Sequence, residues 1–125
     1  MNKIEIKTTC APSAIGPYSQ AIEAGGMIFL SGQIPVNPND GSIAVDIVGQ
    51  ANQVFKNING ILEEAKISAS NVVKTTVFLT DLNNFTKVNE IYANYFNAPY
   101  PSRSCIEVSK LPKGVLIEVE AIAIR

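Results

Sequence analysis

The sequence contains no histidine. That absence removes Ser-His-Asp and Cys-His catalysis, histidine-paired ribonuclease chemistry and most catalytic zinc sites. Cys10 and Cys105 are the only cysteines, too few for a structural zinc site and without a partner pattern. They read as free thiols in a reducing cytoplasm. No G-x-G-x-x-G or Walker-type sequence occurs, so a nucleotide cradle has no support. The apolar runs are strand-length and broken by glutamates, which leaves no candidate transmembrane helix. The opening MNKIEIKTTC sets charges among its apolar residues, unlike a signal-peptide core. The formal charge of −1 and scattered lysines give no electrostatic footprint for nucleic acid. Neither a metal nor a cofactor is expected, and acid–base chemistry falls to carboxylates, tyrosine, lysine, backbone or water.

Arginine is scarce as well. Of ten basic residues eight are lysine, and the only arginines are Arg103 and the C-terminal Arg125. A chain that uses lysine for its solvated surface and one arginine inside a strand points to a need for a planar fork. Such a fork grips a carboxylate or phosphate through two parallel hydrogen bonds. An internal ion pair with Glu118 or Glu120 explains the same residue equally well from the strand pattern alone.

What is present fits one domain over residues 1–125, with 46% hydrophobic content for its core. Ile4 to Thr8 alternates as a short strand, and Cys10 to Gln20 is a loop rich in Pro, Gly and Ser. Tyr18 sits on that loop, either covering the core edge or offering its polar tip to a ligand. Ala21 to Ala24 and Met27 to Ser31 flank Gly25-Gly26, a pair suited to a tight hairpin. Ser31-Gly32-Gln33 follows, where the glycine permits a close approach or marks a bulge. Asp46 is placed to cap a helix whose stripe is Ile47, Ala51, Val54, Phe55, Ile58, Leu62 and Ala65. Gln53, Lys56, Asn57, Glu63 and Glu64 form its other, solvated face. A strand from Asn71 to Thr80 is apolar on both faces, and a second helix spans about Phe85 to Asn97 with Phe85, Val88, Tyr92, Tyr95 and Phe96 inward.

The final stretch, Pro101 to Arg125, reads as two strands joined around Leu111-Pro112-Lys113-Gly114. Period-2 alternation groups Arg103, Cys105 and Glu107, and separately groups Glu118 and Glu120 with Leu116, Ile122 and Ile124. The order β-β-β-α-β-α-β-β predicts an α+β domain. Two helices cover one face of such a sheet, yet its later strands are apolar on both. Self-association through the second face is therefore expected.

Taken together, Ala11–Ala21, Ser31-Gly32-Gln33, Val73–Phe78, Val88-Asn89 with Tyr92 and Phe96, Pro101–Cys105, and Leu111–Gly114 with Glu118–Ala123 resemble the Rid (YjgF) family from end to end. Arg103, Cys105 and Glu118 resemble the deaminating subgroup. The resemblance implies a chorismate-mutase-like fold with a ferredoxin-like sheet, a homotrimer around a central barrel, and clefts at the subunit interfaces. It also implies hydrolysis of 2-imino acids, such as 2-iminopropanoate and 2-iminobutanoate, to 2-keto acids and ammonia. Arg103 would clamp the substrate carboxylate, and Glu118 would activate water and return a proton to nitrogen. Cys105 would offer its backbone carbonyl to the imine nitrogen, and Tyr18, Ser31, Gly32 and Asn89 would line the pocket. A Cys105 thiolate nucleophile is not expected, because nearby glutamates would raise its pKa. A keto-acid-binding regulatory module uses the same cleft, and relatives also suggest an endoribonuclease or translation inhibitor.

Overall fold

Asp46 starts the longest element. In the computed structural model, which describes residues 2–125, its Oδ1 accepts from the Gly49 N–H at 2.8 Å, satisfying one of the donors a helix leaves free at its start. Helix α1 (Ile47–Glu64) then buries Ile47, Ala51, Val54, Phe55, Ile58 and Leu62, and Ala65 just beyond it is buried too. Each large member of such a stripe contributes roughly 1.5–3 kcal/mol through removal from water. Asn57 departs from the expected solvated face, because it is fully buried. Its Nδ2 donates to Ile34 O at 3.1 Å and Val36 O at 3.0 Å, so it satisfies carbonyls of the loop that leaves the third strand. Gln50 is buried as well, donating to Ala44 O and accepting from Leu116 N, both at 2.8 Å.

The strands are β1 (Ile4–Ile6), β2 (Ala21–Ala24), β3 (Met27–Gln33), β4 (Val72–Leu79), β5 (Ser102–Glu107) and β6 (Ile117–Ile124). They form one sheet in the order β1-β2-β3-β6-β4-β5. Only β4 and β5 run parallel; the other pairs are antiparallel. Gly25 and Gly26 take φ +59° and +78°, the left-handed pair that a two-residue hairpin requires. Helix α2 (Phe85–Tyr95) bridges β4 to β5, as a parallel connection demands.

The two final strands are not neighbours, contrary to the hairpin expected from the Leu111–Gly114 turn. β4 lies between them, with Val77 opposite both Cys105 and Val119. The short helical turn Pro112–Gly114 thus serves a crossover past β4, and chain proximity is a poor guide to pairing there.

The α+β reading holds: both helices cover one face of the sheet. That face carries Thr75, Val77, Leu79, Ile117, Val119, Ala121 and Ala123, all buried. The other face leaves Met27, Phe29, Ile106 and Ile124 exposed, beside Glu118, Glu120 and Ile122. Among the described residues no helix is long and apolar enough to cross a membrane.

Candidate functional site

The residues singled out from sequence fall into two groups. The first centres on Arg103 in β5. Its register partner is Thr75 of β4, and its side chain lies on the helix-covered face, over α2. Arg103 Nη1 donates to Asn89 Oδ1 at 2.7 Å. Its Cζ lies 4.8 Å from the centre of the Tyr92 ring and 5.3 Å from that of Phe85. Neither Glu118 nor Glu120 pairs with it: among the described residues the ion pair is Arg125 with Glu23. The internal-ion-pair explanation of Arg103 is thereby set aside. Arg103, Asn89, Tyr92, Ala93, Tyr100 and Pro101 line an open cavity of about 440 Å³.

Cys105 is two residues further along the same face. Burial pushes its thiol up, and the nearby Arg103 charge opposes this with the smaller effect. The direction is the expected one, but its cause is desolvation, and no glutamate contributes to it. β5 is an edge strand. Val108 N–H reaches Leu79 O at 2.8 Å, and strand alternation then turns the N–H and C=O of Cys105 toward the open edge.

The second group surrounds Glu118. Its register partner is Phe78, so its side chain lies on the face away from the helices. A Cβ on Gly32 would overlap Glu118 Oε2 and stand 2.8 Å from its Cδ. The glycine therefore serves close approach, at the register shift between Leu30 and Gln33. Burial raises the Glu118 pKa, and the Glu120 charge adds to it. A carboxyl so tuned exchanges protons more readily near neutrality than an ordinary one.

Ser31 Oγ donates to Ser19 O at 2.6 Å, and Ser31 N–H to Gln20 O at 2.9 Å, which ties β3 to the loop carrying Tyr18. Tyr18 is 53% exposed and so does not seal the core edge. With Ile15, Gly32, Pro112 and Lys113 it lines a cavity of about 410 Å³. A larger cavity of about 780 Å³ runs along Glu5, Thr8, Cys10 and Tyr18 and holds none of the other candidates.

A single chain therefore brings Arg103, Asn89 and Cys105 together, and separately Tyr18, Ser31, Gly32 and Glu118. It does not join the two groups, because Arg103 and Glu118 project from opposite faces of the sheet. Sequence reasoning missed three supports. Gln20 is buried; its side chain donates to Thr8 O, Ala11 O and Pro12 O and accepts from Thr8 N, pinning the loop. Phe85 and Tyr92 were read as inward apolar residues only. With Asn89 they fall at i, i+4 and i+7, a stripe that was visible in the sequence. No three His, Cys, Asp or Glu side chains cluster as metal ligands among the described residues.

Comparison with known proteins covers this arrangement along nearly the whole chain. The family model described as Endoribonuclease L-PSP matches residues 8–125. The 2-iminobutanoate/2-iminopropanoate deaminase of Escherichia coli K12 is 51% identical over 123 residues, covering 96% of each chain. The crystal structure of the Rid-family protein YyfA from Yersinia pestis superimposes with a TM-score of 0.97 at 51% identity, covering 99% of this chain and 100% of that one. E. coli TdcF with bound serine gives 0.94 at 47% identity, covering 98% of each. By sequence, by fold and by the span of both, the chain belongs to the Rid (YjgF) family.

Proposed function

We propose that the chain hydrolyses reactive 2-imino acids, 2-iminopropanoate and 2-iminobutanoate among them, to 2-keto acids and ammonia. The observation that carries this reading is the Arg103 fork. It rests on two aromatic rings and is tethered by Asn89, with no carboxylate among the described residues in its grip. An arginine so placed suits the α-carboxylate of a small ligand. The relative crystallised with serine carries a ligand of that kind, and the E. coli relative bears the name of the activity.

The chemistry needs little beyond positioning. A protonated imine is already electrophilic at C2, so water can add directly while Glu118 accepts its proton. The product is a 2-amino-2-hydroxy acid. Glu118 then returns the proton to nitrogen, the C–N bond breaks, ammonia leaves, and the hydroxyl gives its proton to the freed Glu118 carboxylate as it becomes the keto oxygen. The raised Glu118 pKa serves both transfers. The Cys105 carbonyl at the open edge of β5 accepts from the imine N–H. A thiol pushed up by burial has no part as a nucleophile.

Arg103 and Glu118 meet only if a neighbouring copy supplies one of them. The apolar residues on the bare sheet face favour that assembly, and we take it to be a homotrimer with its clefts between subunits. Two free thiols suit a cytoplasmic setting. The test is turnover of imine freshly generated by an amino-acid dehydratase, followed as 2-keto acid release, with light scattering on the same sample. Accelerated release by an oligomer is expected. Binding of 2-oxobutanoate without turnover would favour a regulatory module instead. Cleavage of RNA by a nuclease-free preparation that leaves the imine untouched would favour the activity in the family model's description.

A further inference from the structure

Arg103 is exposed, and an exposed arginine ordinarily samples many rotamers. Here its surroundings oppose that freedom. Phe85, Asn89 and Tyr92 present one stripe of α2 to it, at 5.3 Å, 2.7 Å and 4.8 Å respectively. The Tyr92 ring is itself held. It is 5% exposed, with the Phe96 ring centre 4.6 Å away and that of Phe55 at 5.8 Å, edge-on. Its hydroxyl lies 2.7 Å from Thr75 Oγ1, on a threonine that is fully buried. Thr75 is also the register partner of Arg103 across β4 and β5. A closed circuit results: strand β4 fixes the ring, the ring carries the guanidinium, and the guanidinium belongs to the strand beside β4.

A point charge would need none of this, because an ammonium attracts a carboxylate from any side. A bidentate grip needs the plane of the fork to be set in advance. Asn89 takes one of the five N–H donors and so fixes an edge, whereas a ring beneath the guanidinium fixes the plane. Burial raises the Tyr92 pKa and keeps the phenol neutral, so the ring supports Arg103 without neutralising it.

We infer that Tyr92, locked by Thr75 and backed by Phe55 and Phe96, is the positioning residue that sets the plane of the Arg103 fork for a substrate carboxylate, with Phe85 as a second ring. The inference rests on the proposed role of Arg103 as the carboxylate clamp. It predicts a division of labour within α2: Asn89 orients an edge, and Tyr92 and Phe85 orient the plane.

The test uses the assembled protein and 2-oxobutanoate as the probe, with dissociation constants from calorimetry and the Arg103 Nε–Hε resonance from NMR. Tyr92→Leu should weaken binding by about 5- to 30-fold, whereas Tyr92→Phe, which keeps the ring, should lose less than about 3-fold. The ring-current displacement of the Arg103 Nε–Hε signal should persist in Tyr92→Phe and vanish in Tyr92→Leu. For turnover the loss should fall on KM more than on kcat, which a general weakening of the core would not produce. Should Tyr92→Leu fail to fold, Phe85→Leu at the half-buried ring should show a loss of about 2- to 5-fold. Arg103→Ala serves as the reference. Binding lost in Arg103→Ala but kept in Tyr92→Leu would overturn the platform alone, and binding unchanged in both would overturn the clamp with it.

Discussion

Arg125 and Arg103 carry the same planar fork, but among the described residues only that of Arg125 is filled. Arg125 Nε and Nη2 reach the two oxygens of Glu23, each at 2.9 Å, a complete bidentate pair between the end of β6 and strand β2. Its neighbourhood is finished within one chain. Arg103 has aromatic rings behind it and an amide at one edge, but no acid among the described residues. What separates the two is not burial, since both are exposed, but whether the geometry that would receive a carboxylate is already occupied. Deleting either residue therefore probes a different property.

The largest effect should come from Arg103→Ala. In a cleft closed by a neighbouring copy, as proposed, loss of a charge-assisted pair costs roughly 2–5 kcal/mol, or about 30-fold to several thousand-fold in kcat/KM. Arg103→Lys keeps the charge without the fork and should recover only part. Steady-state kinetics on freshly generated 2-iminobutanoate checks both, and a lysine variant equal to the parent would reduce the fork to a charge.

Glu118→Gln comes next, with at least a ~100-fold loss of kcat expected for a group that must accept and return a proton. The pH dependence sharpens the point. Burial and then Glu120 raise the Glu118 pKa, so the acid limb of kcat should lie above the usual carboxylate range. The sign for stability is opposite. A carboxyl whose folded pKa exceeds its unfolded value binds more protons when folded, so acidification through that window favours the fold while slowing turnover. Glu120→Gln should move the limb slightly down, because burial, the larger cause, remains. A limb that stays put in Glu118→Gln would assign it to another group.

Cys105→Ser should be milder still, keeping most of the activity, with Cys105→Ala keeping a substantial part. The backbone carbonyl survives both changes. A dead Cys105→Ser beside an active Glu118→Gln would exchange their roles.

Much of the scaffold was legible because its causes are local. The α1 stripe, the Asp46 cap and the Gly25-Gly26 turn each depend on residues within a few positions, and each forms as its sequence dictates. The pairing of the last strands was not legible, since β5 and β6 both choose β4, whose sequence lies some way upstream. Asn57 escaped for the same reason: the carbonyls it satisfies, of Ile34 and Val36, are more than twenty residues away, and a polar residue on a helix gives no sign of a distant partner. For the candidate site, the sequence pointed to individual side chains, Arg103 above all, because a lone internal arginine among lysines is a compositional signal. Their division between two sheet faces emerged only from the register of β5 and β6 on β4, and the seat that Tyr92 makes for Arg103 only from the placement of α2 against β5.

The most direct test of the comparison is to remove each arginine in turn and measure 2-iminobutanoate hydrolysis and thermal unfolding on the same preparations. Arg103→Ala should lose turnover by at least about 30-fold while unfolding near the parent temperature. Arg125→Ala should keep its turnover and show at most a small decrease in unfolding temperature, as an exposed pair allows. Full turnover in Arg103→Ala, or a loss in Arg125→Ala as deep as that in Arg103→Ala, would contradict the account.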